Sequence, residues 1–509
     1  MSEKNHKPVV LIILDGWGYR TEETNNPIAE ADTPYFDYLW KTYPHETLGA
    51  SGPDVGMPVG QIGNSEVCHM TIGAGHVIDT DLVRINKAIE NGQFAQNKTF
   101  VELFMHVKKN DSCLHIFGLL STGGVHSHID HLFAFLQTAK AVGLTNIAIH
   151  VITDGRDVPP QSADKYLKQL EDFIAELGVG KIVSVCGRYY AMDRDKNLDR
   201  TAIFEKLIFN GIGNQLPTLP ASTGVAELHK EGVLPLDELM LAYSIPGNDD
   251  KITKIESGDG VFCFNFRNDR ARQISAFIDS KVKAMNLSFV TMTEYDKFEN
   301  TLVAFLPITI RTTLAKEISR AGLTQTHIAE TEKFAHATYF LNGGSSEKSP
   351  GEKQILIPSR KDIKTHDEAL EMKAAEIAET ATKEIDAGID FIFINFANAD
   401  MVGHTGNIPA TIKAVEFLDI QIKRIVEAVL TEGGKVVISA DHGNAEYGLD
   451  PITHAKHTAH TLSRVPVIIT ISEATLKPNK TIANLAATSL ELLGLTNPDD
   501  MEESLIIPK

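Results

Sequence analysis

Short runs of β-branched and aliphatic residues recur along this chain, each followed by Gly, Asp or Arg and then by a longer amphipathic stretch. This alternation constrains the fold more than any other feature, because parallel strands need crossover connections and helices supply them. It predicts strands over 8–14 (PVVLIIL), 114–120, 147–153, 181–186, 260–266, 390–396, 435–440 and 465–470. Helices are predicted over 163–177, where Ala163, Tyr166, Leu167, Leu170, Ile174 and Leu177 form one stripe, and over 411–430, where Val415, Leu418, Ile422, Ile425 and Val429 do. These stripes are core faces, and the expected class is α/β with largely parallel sheets.

In open α/β sheets ligands bind beyond the carboxyl ends of the strands. Sorted by the residues just beyond those ends, the predicted strands fall into two groups. After 8–14, 390–396 and 435–440 come Asp15, then Asp400 with His404, then Asp441 with His442. After 114–120, 147–153, 181–186 and 260–266 come mainly cations: His126, Arg156, Arg188 with Arg194, and Arg267 with Arg270. The acidic set comes from the two ends of the chain and the cationic set from its middle. An inserted domain accounts for this, with residues 1–80 and 307–509 forming one domain and 81–306 the other. The crossings are expected near 78–88 and 300–311.

A length of 509 residues suits roughly two to four domains. A formal net charge of −19 makes nucleic acid or an anionic membrane a poor partner. No apolar run reaches the roughly 18 residues a membrane helix needs. The N-terminal run PVVLIIL ends at an aspartate, which reads as a first strand and not as a signal sequence. Cys68, Cys113, Cys186 and Cys263 are far apart and form no CxxC pair, so a reducing, cytoplasmic setting is expected.

Asp15, Asp400, His404, Asp441, His442 and His460 offer oxygen and imidazole donors without thiolate, a set suited to Mn²⁺, Zn²⁺ or Co²⁺. The four-residue step from Asp400 to His404 lets both reach one ion from a single turn, and the adjacent Asp441-His442 pair suits two neighbouring ions. Ser65 follows a Gly-rich loop (GMPVGQIGN) and is expected to begin a helix, where backbone N–H groups favour an anion. A serine needs a base or a metal to act as nucleophile. Cys68, one turn on, is the rival, but nothing nearby favours its thiolate. Each residue taken singly reads more often as a cap, a turn residue, or a surface or satisfied core histidine; six of them at strand ends are harder to dismiss, and spacing alone leaves both accounts of the set open.

The cationic segments GGVHSH, TDGRDVPP, GRYYAMDRD and NFRNDRAR could surround a small polyanion, since arginine forks match carboxylate and phosphate oxygens. A solvated basic rim is the competing account. Asp157, beside Arg156, reads either as a salt-bridge partner or as a proton-exchanging group.

Taken together, LDGWG (14–18), GNSEV (63–67), LLSTGGVHSH (119–128), TDGRDVPP (153–160), GRYYAMDRD (187–195), FNFRNDRARQ (264–273), ETEKFAH (330–336), NFANADMVGHTG (395–406), ADHGNAEY (440–447) and AHT (459–461) resemble the cofactor-independent (2,3-bisphosphoglycerate-independent) phosphoglycerate mutases of the alkaline-phosphatase superfamily. The resemblance runs nearly end to end. It implies an alkaline-phosphatase-like, mostly parallel sheet flanked by helices, with a second α/β domain inserted. It implies a monomer that interconverts 3-phosphoglycerate and 2-phosphoglycerate with two Mn²⁺ and without 2,3-bisphosphoglycerate. Carried over by motif, one ion takes Asp400, His404 and His460, and the other takes Asp15, Ser65, Asp441 and His442. Ser65 accepts the phosphoryl group and Lys333 helps to neutralise it. His126, Arg156, Asp157, Arg188, Arg194, Arg267 and Arg270 hold the glycerate moiety, with Asp157 as general acid/base. A superfamily phosphatase, a phosphopentomutase or a silent scaffold are the alternatives. The chain departs from the family wording at Cys68 for Gly, His76 for Arg, Thr122 for Asp, and Asn268 and Ala399 for Pro, and over 355–372. None of these removes a ligand or a named arginine.

Overall fold

The structure is a computed structural model that describes residues 7–247 and 251–508. The chain divides into two compact units, one taking residues up to Thr80 and from Thr309 on, the other Asp81–Ile308.

The first unit is built on a seven-stranded sheet in the order Glu352–Ile357, Gln325–Glu330, Phe391–Phe396, Val9–Leu14, Lys435–Ser439, Val465–Ile469, His45–Leu48. The first five run parallel, and the last two are added antiparallel. Every residue of Val9–Leu14 and Phe391–Phe396 is buried, so both sheet faces are covered. This is why these strands read as continuous apolar runs. Register then does the positioning: Leu14 pairs with Phe396 and Ile13 with Ser439, so the residues after the three central strands leave the sheet at one edge. The predicted 411–430 stripe lies inside the helix Ile408–Thr431, which packs against Ala374–Asp386.

Gln325–Glu330 (QTHIAE) is a strand that the apolar pattern does not predict. It is wholly buried yet mostly polar, because its side chains are paired inside the fold: Gln325 Nε2 donates to Ala315 O at 2.7 Å and Thr326 Oγ1 to Glu384 at 2.9 Å. Hydropathy cannot reveal a strand of this kind.

The helix Ser65–Ala74 packs against the segment His336–Phe340 that follows Lys333. The approach is close enough that a Cβ on Gly73 would run into the carbonyl oxygen of Leu341. Gly73→Ala is therefore expected to cost about 1–3 kcal/mol by overpacking, read as a lower midpoint in urea denaturation.

The second unit carries an eight-stranded sheet in the order Thr301–Phe305, Ser288–Thr293, Gly260–Cys263, Leu114–Leu119, Ile147–Thr153, Lys181–Gly187, Tyr243–Ser244, Asn214–Gln215. All neighbours are parallel except Lys181–Gly187 with Tyr243–Ser244. The four strands predicted to precede cations stand side by side in it. The helix Ala163–Leu177 has the predicted bounds, and the strand predicted over 260–266 ends at Cys263.

Candidate functional sites

In the first unit, four neighbouring parallel strands deliver the residues beyond their ends to one edge: Lys333 after Gln325–Glu330, Asp400 and His404 after Phe391–Phe396, Asp15 after Val9–Leu14, Asp441 and His442 after Lys435–Ser439. Ser65 reaches this cluster from the first position of its own helix, where Asn64 caps the end by accepting from the backbone N–H of Val67 at 3.0 Å. The hydroxyl of Ser65 lies 3.0 Å from His442 Nε2 and 3.4 Å from Asp15 Oδ1. Lys333 Nζ donates to it at 2.8 Å, and also to Asp15 Oδ1 at 2.7 Å and Asp400 Oδ2 at 2.6 Å.

His404 Nε2 and His460 Nε2 lie 3.1 and 3.3 Å from Asp400 Oδ1. Their other ring nitrogens are held by backbone carbonyls, His404 Nδ1 by Thr458 at 2.7 Å and His460 Nδ1 by Gly63 at 2.9 Å, which leaves both Nε2 atoms aimed at Asp400. Among the described residues, two groups have donor atoms spaced to hold a metal ion: Asp400, His442 and His460, and Asp15, Asp441 and His442. His442 therefore belongs with both groups.

The electrostatics of this cluster favour added cations. Asp15, Asp400 and Asp441 are almost wholly buried, and the ammonium of Lys333 pairs with Asp15 and Asp400. Burial opposes ionisation of Asp15 and Asp400, and the Lys333 charge overcomes it, holding both carboxyls below the usual range. Burial also works against the Lys333 ammonium, but Asp15, Asp400 and Asp441 raise it. Asp441 is pushed up, by burial and then by Asp15. Among the described residues its Oδ2 has no hydrogen-bond partner, although His442 Nε2 lies 3.3 Å and His69 Nδ1 3.4 Å away, and His442 Nδ1 has none either. A buried carboxylate oxygen without a hydrogen bond, beside like charges, is what a divalent ion relieves, and an oxygen-and-imidazole donor set fits one.

Two polar residues here escape sequence reasoning. Asn395 Nδ2 donates to Asp15 Oδ2 at 2.8 Å, and His69 Nδ1 lies 3.4 Å from Asp441 Oδ2 and 2.9 Å from the carbonyl of Ser65. An amide inside the apolar run FIFINF, and a histidine four residues after Ser65, are the available signals. Cys68 is wholly buried, and burial, then Asp441, raises its thiol well above the ordinary range, so it is no rival nucleophile.

The second unit gathers the other predicted set. Arg188 is 2% exposed, and its Nη1 donates to Asp157 Oδ2 at 2.7 Å. Arg156, Arg194 and Arg267 are different, with side chains 54%, 48% and 49% exposed. Glu238 steadies Arg156 at 3.2 Å, and Asp269, another residue that the sequence does not single out, steadies Arg194 and Arg267 at 3.2 Å each. Arg270 donates to Met192 O at 3.1 Å. Burial, then the charges of Arg188, Arg194 and Arg156, pull the Arg270 guanidinium below its ordinary value, a sign that these cations converge. The grouping of His126 with the cations needs correcting. Burial, then Arg188, pushes it down to about 4 against the pull of Asp157 and Asp269, which favours the uncharged imidazole at neutral pH.

Residues 85–297 match the family described as BPG-independent PGAM N-terminus. A 2,3-bisphosphoglycerate-independent phosphoglycerate mutase of Listeria monocytogenes is 44% identical over 99% of each chain. That of Chloroflexus aggregans is 44% identical over 98% of this chain and 99% of its own. Among solved structures, Leishmania mexicana phosphoglycerate mutase at low cobalt concentration aligns with a TM-score of 0.63 and 29% identity, covering 100% of this chain and 99% of that one. With relatives this similar over nearly their whole length, the chain belongs to the family of 2,3-bisphosphoglycerate-independent phosphoglycerate mutases.

Proposed function

We propose that this chain interconverts 3-phosphoglycerate and 2-phosphoglycerate through a phosphoserine on Ser65, with two Mn²⁺ and no need for 2,3-bisphosphoglycerate. The observation that carries this reading is the placing of the Ser65 hydroxyl at a helix N-terminus, 2.8 Å from Lys333 Nζ and 3.0 Å from His442 Nε2. Asp400, His404 and His460 would hold one ion, and Asp15, Ser65, Asp441 and His442 the other. When bound, the two ions would stabilise negative charge on the serine and phosphoryl oxygens.

The residues of the chain do the rest. Ser65 gives up its hydroxyl proton to solvent, its Oγ attacks phosphorus, the bond from phosphorus to the glycerate oxygen breaks, and Asp157 gives that oxygen a proton. Lys333 neutralises charge on the phosphoryl group in transit. In the return step the other glycerate hydroxyl gives its proton to Asp157 and attacks phosphorus, and Ser65 leaves and recovers a proton from solvent. The half-exposed Arg156, Arg194 and Arg267, with Arg270, His126 and the buried Arg188, hold the glycerate moiety. In this division of labour the unit containing both chain ends binds metal and carries phosphate, and Asp81–Ile308 binds substrate. The reading includes a cytoplasmic monomer, which gel filtration and cell fractionation would check.

The test is conversion of 3- to 2-phosphoglycerate, coupled to enolase, with Mn²⁺ and without bisphosphoglycerate. Release of free phosphate faster than isomerisation would replace the mutase reading with a phosphatase. Arg267→Ala is expected to lower kcat/KM about 10- to 10²-fold, the worth of a charge-assisted contact, while metal content stays at two per chain. Loss of metal from that variant would show that Arg267 serves the other site.

A further inference from the structure

Asp154 directly follows the strand Ile147–Thr153 and is 2% exposed. Its carboxylate collects four donors. Oδ1 accepts from the backbone N–H of Arg156 at 3.1 Å, that of Asp157 at 3.0 Å, and Arg188 Nη1 at 2.6 Å. Oδ2 accepts from Ser121 Oγ at 2.7 Å. Gly155, at φ +73°, lets the chain double back so that both N–H groups meet the carboxylate that precedes them. The same Arg188 Nη1 that reaches Asp154 also reaches Asp157 Oδ2.

We propose that Asp154 is a positioning residue for the mutase reaction, holding the turn 154–157 and the buried Arg188 so that the Asp157 carboxylate stands in one orientation toward the substrate hydroxyl. The inference rests on the reading of Asp157 as general acid/base. The physical argument is one of charge sharing. A buried guanidinium needs a carboxylate partner, and if Asp157 were its sole partner, Asp157 would be held as a structural ion pair. With Asp154 sharing the same Nη1, Asp157 keeps an oxygen free for proton exchange. Asp154 touches no reacting atom in this account and acts only through its neighbours.

Asp154→Asn keeps the shape and the acceptor for the two N–H groups and removes the charge. It is expected to lower kcat about 10- to 10²-fold through misplacement of Asp157, with KM moving less than about threefold. The deciding readout is the double-mutant cycle with Asp157→Asn. If Asp154 works through Asp157, the double variant is no slower than Asp157→Asn alone. Additive losses would overturn the positioning role, because Asp154 would then act independently of Asp157. An Asp157→Asn enzyme with near-native kcat would refute the acid/base reading and this inference with it. An inactive Asp157→Asn beside a native-like Asp154→Asn would refute the inference alone. Should Asp154→Asn fail to fold, Ser121→Ala, which removes only the Oδ2 donor, is expected to lower kcat about threefold and to be equally non-additive with Asp157→Asn.

Discussion

Ser65→Ala is expected to lose at least about 10⁴-fold in kcat, since removal of a covalent nucleophile costs effects of this order or larger. The expectation is specific because the rest of the site survives the change. Lys333 keeps Asp15 at 2.7 Å and Asp400 at 2.6 Å, and Asn64 still caps the helix through Val67 N–H. Melting temperature should therefore stay near that of the native protein while turnover disappears. The enolase-coupled assay measures the loss. Mass spectrometry of the acid-quenched native enzyme with substrate should show one added phosphoryl group on the peptide carrying Ser65, absent from the variant. Turnover retained in Ser65→Ala would remove the nucleophile from this account.

Removal of divalent metal is expected to reduce activity to background and to lower stability, with both restored by Mn²⁺. Asp15, Asp400 and Asp441 are buried together, Lys333 pairs with the first two, and among the described residues Asp441 Oδ2 has no hydrogen-bond partner, only histidine nitrogens at 3.3 and 3.4 Å. Without added cations this unit carries uncompensated buried negative charge. A ligand at 100 times its dissociation constant adds about 2.7 kcal/mol to stability, which corresponds to a rise of about 5 °C or more in melting temperature. Thermal denaturation with and without chelator, paired with elemental analysis for two ions per chain, checks both effects. Activity that survives exhaustive chelation would refute the two-metal reading.

The candidate sites are legible in the sequence to different depths, and the differences have physical causes. Asp15, Asp400 and Asp441 lie within one to four residues of the ends of buried strands, whose apolar runs announce themselves, so the acids just beyond each run can be named. Lys333 follows a buried strand whose polar side chains pair with other elements, and only the family wording ETEKFAH points to it. Asp154 and Asp269 pass unnoticed because an acid among arginines looks the same in sequence whether it is a salt-bridge partner or an organiser. Only the donors on each tell these apart. His126 shows the reverse error: its pattern suggests a cation, and its burial beside Arg188 favours the neutral form.

By itself the sequence determined the fold class, the two chemical groups at strand ends and the family. Hydrophobic period and motif order are local properties and need no partner to be read. Tertiary structure decided which donors share an atom. Strand order and register bring Lys333, Asp15, Asp400 and Ser65, far apart in the chain, within hydrogen-bonding distance, and they place one nitrogen of Arg188 between Asp154 and Asp157. Such distances, and the charge states they produce, depend on burial and packing across strands, which no stretch of sequence carries alone.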